Sequence, residues 1–259
     1  MAGGLVPFLT AVVLSAGGVW FLARLAPRLG AVSAVRVDRW HRSANVSRLA
    51  GPAILLAMSP WLTLGHLGAL ASVTVVGTVD DIRPLGPGTK ALALAIAAGL
   101  AGIVIGSPWV AIAVWVACNA TNMLDHADGL AGCTIAAALL GIGGEAGYAG
   151  AGAAVGFLFF NYPRARAFMG DSGSLLLGAA VVLAAAGRGP LVTISWMAVP
   201  LIDAAFVVMR RIRGGRKPWV GGTDHLGHLL LTSGIPGWLL PLLYAGAAFV
   251  IGLGVEDLA

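Results

Sequence analysis

Residues 108–129 read PWVAIAVWVACNATNMLDHADG. From Pro108 to Cys118 the run is apolar enough for the interior of a lipid bilayer. Asn119, Asn122, Asp125 and Asp128 then recur at every third position, a spacing that sets them roughly along one face of a continuing helix. Amides and carboxylates at the mouth of an apolar span are costly to bury in lipid. They are therefore expected to line a polar cavity where the span leaves the membrane. A solvated helix end with polar caps is the plainer alternative for this segment taken alone.

The rest of the chain supports the membrane setting. Its 259 residues are 58% hydrophobic and 10% charged, with mean hydropathy +0.90. A soluble domain carries about a quarter charged residues. An all-α, polytopic integral membrane protein with one domain over 1–259 is expected. The 38 glycines suit helices packed closely in lipid. Cys118 and Cys133 both fall in apolar runs and are expected to be buried free thiols rather than a disulfide or a metal site. Met1 to Gly4 carry no basic residue, which opposes a cleaved signal peptide.

Apolar runs place spans at Gly4–Ala26, Gly51–Val79, Lys90–Gly106, Pro108–Leu124, Leu130–Gly143, Ala146–Phe160, Ser172–Gly187, Pro190–Val208 and Pro236–Gly254. Gly51–Val79 is either one long helix or a hairpin turning near Trp61–Gly65. Basic residues decide between them. The hairpin gives about ten transmembrane helices with both termini outside. The inside segments are then 27–50, 80–90, 125–129, 161–171 and 209–235. With Arg24 at the inner end of the first span, these regions take all of the 16 Lys and Arg except Arg188. A single helix would put the first basic loop opposite the others. The pI of 9.9 then follows from topology and anionic headgroups, without nucleic acid.

Asp80, Asp81, Asp125, Asp128, Asp171 and Asp224 all fall at ends or loops expected to face the cytoplasm. Acids gathered there need compensating cations, which points to a divalent ion and a phosphate-bearing substrate. In TVDDIRPLGPGTK (78–90), Asp80 and Asp81 diverge by about 100° on a helix and are expected to have distinct roles. Arg83 and Lys90 supply positive charge beside them. In FNYPRARAFMGDSGS (160–174), Asp171 lies in a turn that opens a helix whose N-terminal amides favour phosphate. An ordinary N-cap is its plainer reading, although that leaves Asn161, Arg164 and Arg166 unexplained. RIRGGRKPWVGGTDHLGHLLL (211–231) carries His225 and His228 at i, i+3. Phosphate contact is preferred there, because a zinc site needs further ligands. Arg36, Arg39, His41, Arg42 and Arg48 form a basic loop facing either headgroups or substrate. Asp203, seven residues before Arg210, is expected to make a local charge pair.

Together these segments resemble the polyprenyl-phosphate N-acetylhexosamine-1-phosphate transferase superfamily, of glycosyltransferase family 4 type. The likeness is to bacterial GlcNAc-1-phosphate transferases more than to phospho-MurNAc-pentapeptide translocase. VDDIRPLGPGTK is similar to the family's DD segment. NATNMLDHADGLAG (119–132) is similar to N-x-x-N-x-x-D-G-x-D-G-L-x-G, with His126 in place of the first glycine. NYPRARAFMGDSGSLLLG (161–178) is similar to N-x-P-x-x-x-F-M-G-D-x-G-S-x-x-L-G. DRWHRSANVSRLAG (38–51) resembles the first cytoplasmic loop, and DHLGH (224–228) is similar to H-L-H-H with Gly227 in place of one histidine.

The resemblance implies a multi-pass protein of the cell (inner) membrane, acting at its cytoplasmic face. A polyprenyl phosphate would attack the β-phosphate of a UDP-N-acetylhexosamine, giving polyprenyl-diphospho-sugar and UMP. It implies Mg²⁺, with Mn²⁺ as a substitute, held by Asp171 and Asn122. It makes Asp80, Asp81 and Asp171 the catalytic carboxylates, with Asp80 orienting the lipid phosphate and Lys90 binding phosphate. Asp128 would recognise uracil. Asp125, His225 and His228 would line the nucleotide pocket, with Asn119, Phe168, Arg48 and His41 at the substrate. A homodimer is compatible with it. The missing histidine at 227 favours UDP-GlcNAc over the pentapeptide nucleotide. An ion-coupled transporter would instead place its acids near the midplane between repeated halves, and a scaffold that binds lipid carriers without turnover is the third class.

Overall fold

The computed structural model describes residues 2–33 and 46–258. The first helix, α1 (Ala2–Leu29), is followed by α2 (Ala50–Met58) and α3 (Leu64–Ile82). A 3₁₀ turn at Ser59–Trp61 separates α2 from α3, so 51–79 is the expected hairpin. Pro60 stands at the start of that turn, and the Thr63 hydroxyl caps α3 by accepting from the amide of His66. Next come α4 (Pro87–Ile105), α5 (Pro108–Leu124), α6 (Leu130–Ile142), α7 (Gly144–Asn161) and α8 (Gly170–Ala185). The chain ends with α9 (Pro190–Trp196), α10 (Ala198–Arg213), α11 (Leu226–Thr232) and α12 (Leu240–Glu256).

Two features depart from the expected set. The single span expected over Pro190–Val208 is α9 and α10, bent by 73°. Pro200 lacks the amide that would bond to Trp196, and its ring opposes that carbonyl, so the helix breaks just before it. The short α11 follows from Asp203, whose Oδ1 accepts the amide of Leu226 at 3.1 Å. Among the described residues, three helices are long and apolar enough to cross a membrane, or four if α9–α10 is one broken span.

Helix α8 is the axis of the molecule. Along Gly170–Arg188, 83% of the stretch is buried, against 22% for Gly3–Leu29. A helix apolar all round belongs inside, and α8 packs against α2, α3, α5, α6 and α7. Small residues permit the closest contacts. A Cβ on Gly152 or Gly156 of α7 would overlap the backbone of α1 at Phe8 or Val12. Cys118 and Cys133 are free and buried, as expected.

Candidate active site

The site is assembled around the first turn of α8. Gly51 of α2 and Gly77 of α3 face this turn, and a Cβ on either would overlap the backbone of residues 171–173. Gly170 has φ +68°, and a Cβ there would strike the Arg48 carbonyl and the Asp81 carboxylate. The short extended segment around Ser47 bridges to Val32 and Ala167, which brings Arg48 to the same place.

The adjacent aspartates separate here. Asp81 is 3% exposed. Its Oδ1 accepts the amide of Asp171 and its Oδ2 that of Ser172, both at 2.9 Å. Arg48 Nη2 lies 3.2 Å from Asp81 Oδ1 and 3.9 Å from Asp171 Oδ1. A carboxylate on two N-terminal amides, beside a guanidinium, is a favourable helix-end pairing. Two expectations change as a result. Asp171 is not the cap of its own helix, because Asp81 of α3 caps it. The amides of Asp171 and Ser172 are also not open to phosphate, because Asp81 occupies them.

Relieved of capping, Asp171 meets Asp80 across a single ammonium. Lys90 Nζ is 3.1 Å from Asp80 Oδ2 and hydrogen-bonds Asp171 Oδ2. Asp80 Oδ1 accepts the amide of Leu85 at 2.6 Å, which closes the α3–α4 turn. Asn122 Nδ2 donates to Asp171 Oδ1 at 2.9 Å and to Ser174 Oγ at 3.0 Å. Two carboxylates and an amide are hard oxygen donors of the kind Mg²⁺ takes, and Lys90 shows that a cation fits between the acids. Leu55 and Leu56 of α2, with Thr74, Val75, Thr78 and Val79 of α3, line an apolar groove of about 400 Å³. The hydroxyls of Thr74 and Thr78 bond back to the carbonyls of Leu70 and Thr74, so they make no demand on an apolar occupant.

A second cluster lies where the 125–129 loop meets α11. The rings of His126 and His225 stack with centroids 4.0 Å apart, and His228 meets His126 edge-on at 4.7 Å. His225 Nδ1 is 2.9 Å from Asp203 Oδ2. Asp203 thus turns to α11 rather than to Arg210, whose guanidinium lies over Phe206. Burial, and then the two neighbouring imidazoles, hold His126 well below the usual histidine range. Asp224 stands apart from the other acids: Arg211 and Arg216 pair with it at 3.1 and 2.6 Å.

Comparison with known proteins now bears on these residues. Residues 100–187 match the model of glycosyl transferase family 4. The chain is 33% identical over 270 residues to a protein of Streptomyces coelicolor named as a glycosyltransferase, covering 96% of this chain and 58% of that one. It is 29% identical over 306 residues to decaprenyl-phosphate N-acetylglucosaminephosphotransferase of Mycobacterium tuberculosis, covering 87% and 75%. It is 28% identical over 291 residues to undecaprenyl-phosphate alpha-N-acetylglucosaminyl 1-phosphate transferase of Salmonella typhimurium, covering 91% and 79%. Residues 100–187 thus carry the family 4 signature, and the chain as a whole is similar to polyprenyl-phosphate sugar-phosphate transferases. The first of these relatives is much longer, and the chain spans 58% of it.

In this chain Asp80, Asp81, Lys90, Asn122, Asp171 and Arg48 come together as one cluster. The expected ridge on α5 does not continue as a helix. α5 ends at Leu124, so Asp125 and Asp128 lie on the following turn. Asp128 Oδ2 accepts the amide of Ala165 at 3.0 Å, which joins this turn to the 161–169 loop. Asn161 joins them again, accepting from Gly129 and donating to the Ala167 carbonyl. Asn119 donates to the Trp115 carbonyl on its own helix. Phe168 follows the Ser47–Ala167 bridge, its amide donating to the Ser47 carbonyl at 2.8 Å. His225 and His228 sit in the separate histidine cluster. His41, with Arg36, Arg39 and Arg42, lies outside the described residues. Ser174 was missed, although its place one turn after Asp171 on α8 puts it on the same face.

Proposed function

We propose that the protein transfers an N-acetylhexosamine 1-phosphate, GlcNAc-1-phosphate in the first instance, from a UDP-sugar to a membrane polyprenyl phosphate. The observation that carries this reading is the Asp80–Lys90–Asp171–Asn122 cluster itself, two carboxylates and an amide gathered around one ammonium. The α2–α3 groove offers an apolar surface to an isoprenoid chain, and Lys90 offers a cation to its phosphate. A lipid-phosphate oxygen forms a bond to the β-phosphorus of the UDP-sugar. The bond from that phosphorus to the oxygen bridging the α-phosphate breaks, and UMP leaves with the electron pair.

Each residue answers a physical demand of bringing two anions together. Lys90 and Arg48 offset their repulsion. Asp171 and Asn122 would hold Mg²⁺, Asn122 by turning its amide oxygen inward. Bound there, the ion would neutralise charge on the phosphates. Asp80 orients the lipid phosphate and accepts its proton when it carries one. Direct attack is favoured over an aspartyl intermediate, because both oxygens of Asp81 are engaged by amides of α8 and Asp80 is held by Leu85 and Lys90. The choice of GlcNAc rests on the relatives' names, since His126 supplies a third imidazole despite Gly227.

This reading also includes ten crossings with both termini outside and the site at the cytoplasmic face. The expected result with purified protein, polyprenyl phosphate, Mg²⁺ and radiolabelled UDP-GlcNAc is labelled lipid and equimolar UMP. Labelled lipid from the UDP-MurNAc-pentapeptide alone would reverse the sugar choice. No labelled lipid from any UDP-N-acetylhexosamine would end the reading.

A further inference from the structure

Gly227 has no side chain, and His126 stands where one would project. A Cβ built on Gly227 would lie 2.7 Å from His126 Nε2 and 3.3 Å from its Cε1. Real Cβ atoms do not approach other atoms that closely, so any side chain at 227 requires the imidazole at 126 to leave this position. His126 Nε2 is fully buried and has no hydrogen-bond partner, which fits a ring placed for its volume and stacking. The ring lies on His225 at 4.0 Å with 28° between planes, and edge-on to His228. His225 is fixed from behind by Asp203, which is 1% exposed.

We infer that His126 and Gly227 are a compensated pair, in which the third imidazole of the cluster comes from the α5–α6 loop instead of α11. By crossing between the two, the ring ties the turn that carries Asp125 and Asp128 to the start of α11. His126 is then a positioning residue for the nucleotide side of the pocket, an assignment that rests on the proposed transferase reading. A metal centre is the competing account, because ligand atoms of His126, Asp203 and His225 lie within 4.8 Å of one another. The stacking opposes it, since the lone pairs of parallel rings run side by side instead of converging. Both Asp203 oxygens are also engaged, by His225 and by the amide of Leu226.

The test compares four full-length proteins: wild type, H126G, G227H and H126G/G227H. G227H alone is expected to lower Tm and activity, because two rings compete for one space. H126G alone is expected to raise KM for the UDP-sugar about 10-fold or more with a smaller change in kcat, the effect of a displaced binding loop. The double variant is expected to recover Tm, and KM to within about threefold, since coupled neighbours are non-additive. A double variant no better than G227H in Tm and KM would overturn the pair. So would a Tm rise on adding Zn²⁺ that is present in wild type and lost in H126G, which would assign a metal site instead. Recovery of Tm with no UDP-sugar turnover in any of the four proteins would uphold the pairing and reject the transferase reading separately.

Discussion

Asp80 and Asp81 are neighbours in the chain with opposite tasks. Asp81 is sealed between Arg48 and two amides in the first turn of α8, and losing a helix cap costs about 0.5–2 kcal/mol, to which the buried amides left unpaired add. Asp81→Ala is therefore expected to lower Tm sharply, with activity lost through the fold. Asp80→Asn is expected to keep Tm near wild type and to cut kcat by about 10²–10⁴, the range for a positioned acid or base. Thermal unfolding alongside turnover distinguishes them; equal Tm losses would refute this division. The sequence carried the identities of both acids but not their assignment. Helical periodicity separates the two side chains by angle, and only the approach of α8 shows which one becomes its cap. Likewise, the contact of His126 with Gly227 joins distant segments, so no local pattern displays it.

Helices α2, α3 and α8 meet so closely that glycine is required at the crossing. Gly77→Ala forces a methyl into the backbone of Asp171 and Ser172, and such overpacking costs about 1–3 kcal/mol. Gly99 on α4 has nothing within 4 Å of its missing Cβ, so Gly99→Ala is expected to leave Tm unchanged or raise it. A reversed order of Tm would contradict the packing. The basic loop between α10 and α11 makes a separate demand, on pH. Burial pushes the Asp224 carboxyl up, but the hydrogen bonds of Arg211 outweigh it, and with Arg216 the pair brings it from 3.8 to about 2. A depressed carboxylate stabilises above its unfolded value, and that contribution is lost as pH falls from 3.8 towards about 2. Asp224→Asn is expected to lower Tm near neutrality, with the gap narrowing below pH 3.8 and closing only below about pH 2 in detergent. A gap that stays constant across that range would remove Asp224 from the pH dependence. Helix positions were largely legible from apolar runs. The α9–α10 break was not, because Pro200 lies inside an otherwise unbroken apolar pattern, and α11 was not, because the carboxylate that starts it comes from α10.

The described residues form a bundle around a buried α8, with Asp80, Asp81, Lys90, Arg48 and Asp171 gathered at its first turn and the Arg188–Glu256 pair at its far end. On the proposed orientation the site faces the cytoplasm, so a cysteine introduced near Gly88 is expected to label from the cytoplasmic side only. Native Cys118 and Cys133 are buried and give little background; labelling at Gly88 from outside would reject the orientation. Asp171 is the residue on which Lys90, Asn122 and Arg48 converge. Lipid-linked product is therefore best measured for wild type and Asp171→Asn across a Mg²⁺ titration, with Tm recorded for both. The expected result is Mg²⁺-dependent product from wild type and none from a folded Asp171→Asn protein at any Mg²⁺ concentration. Near-normal product from Asp171→Asn would contradict the assignment of this cluster as the centre of the reaction.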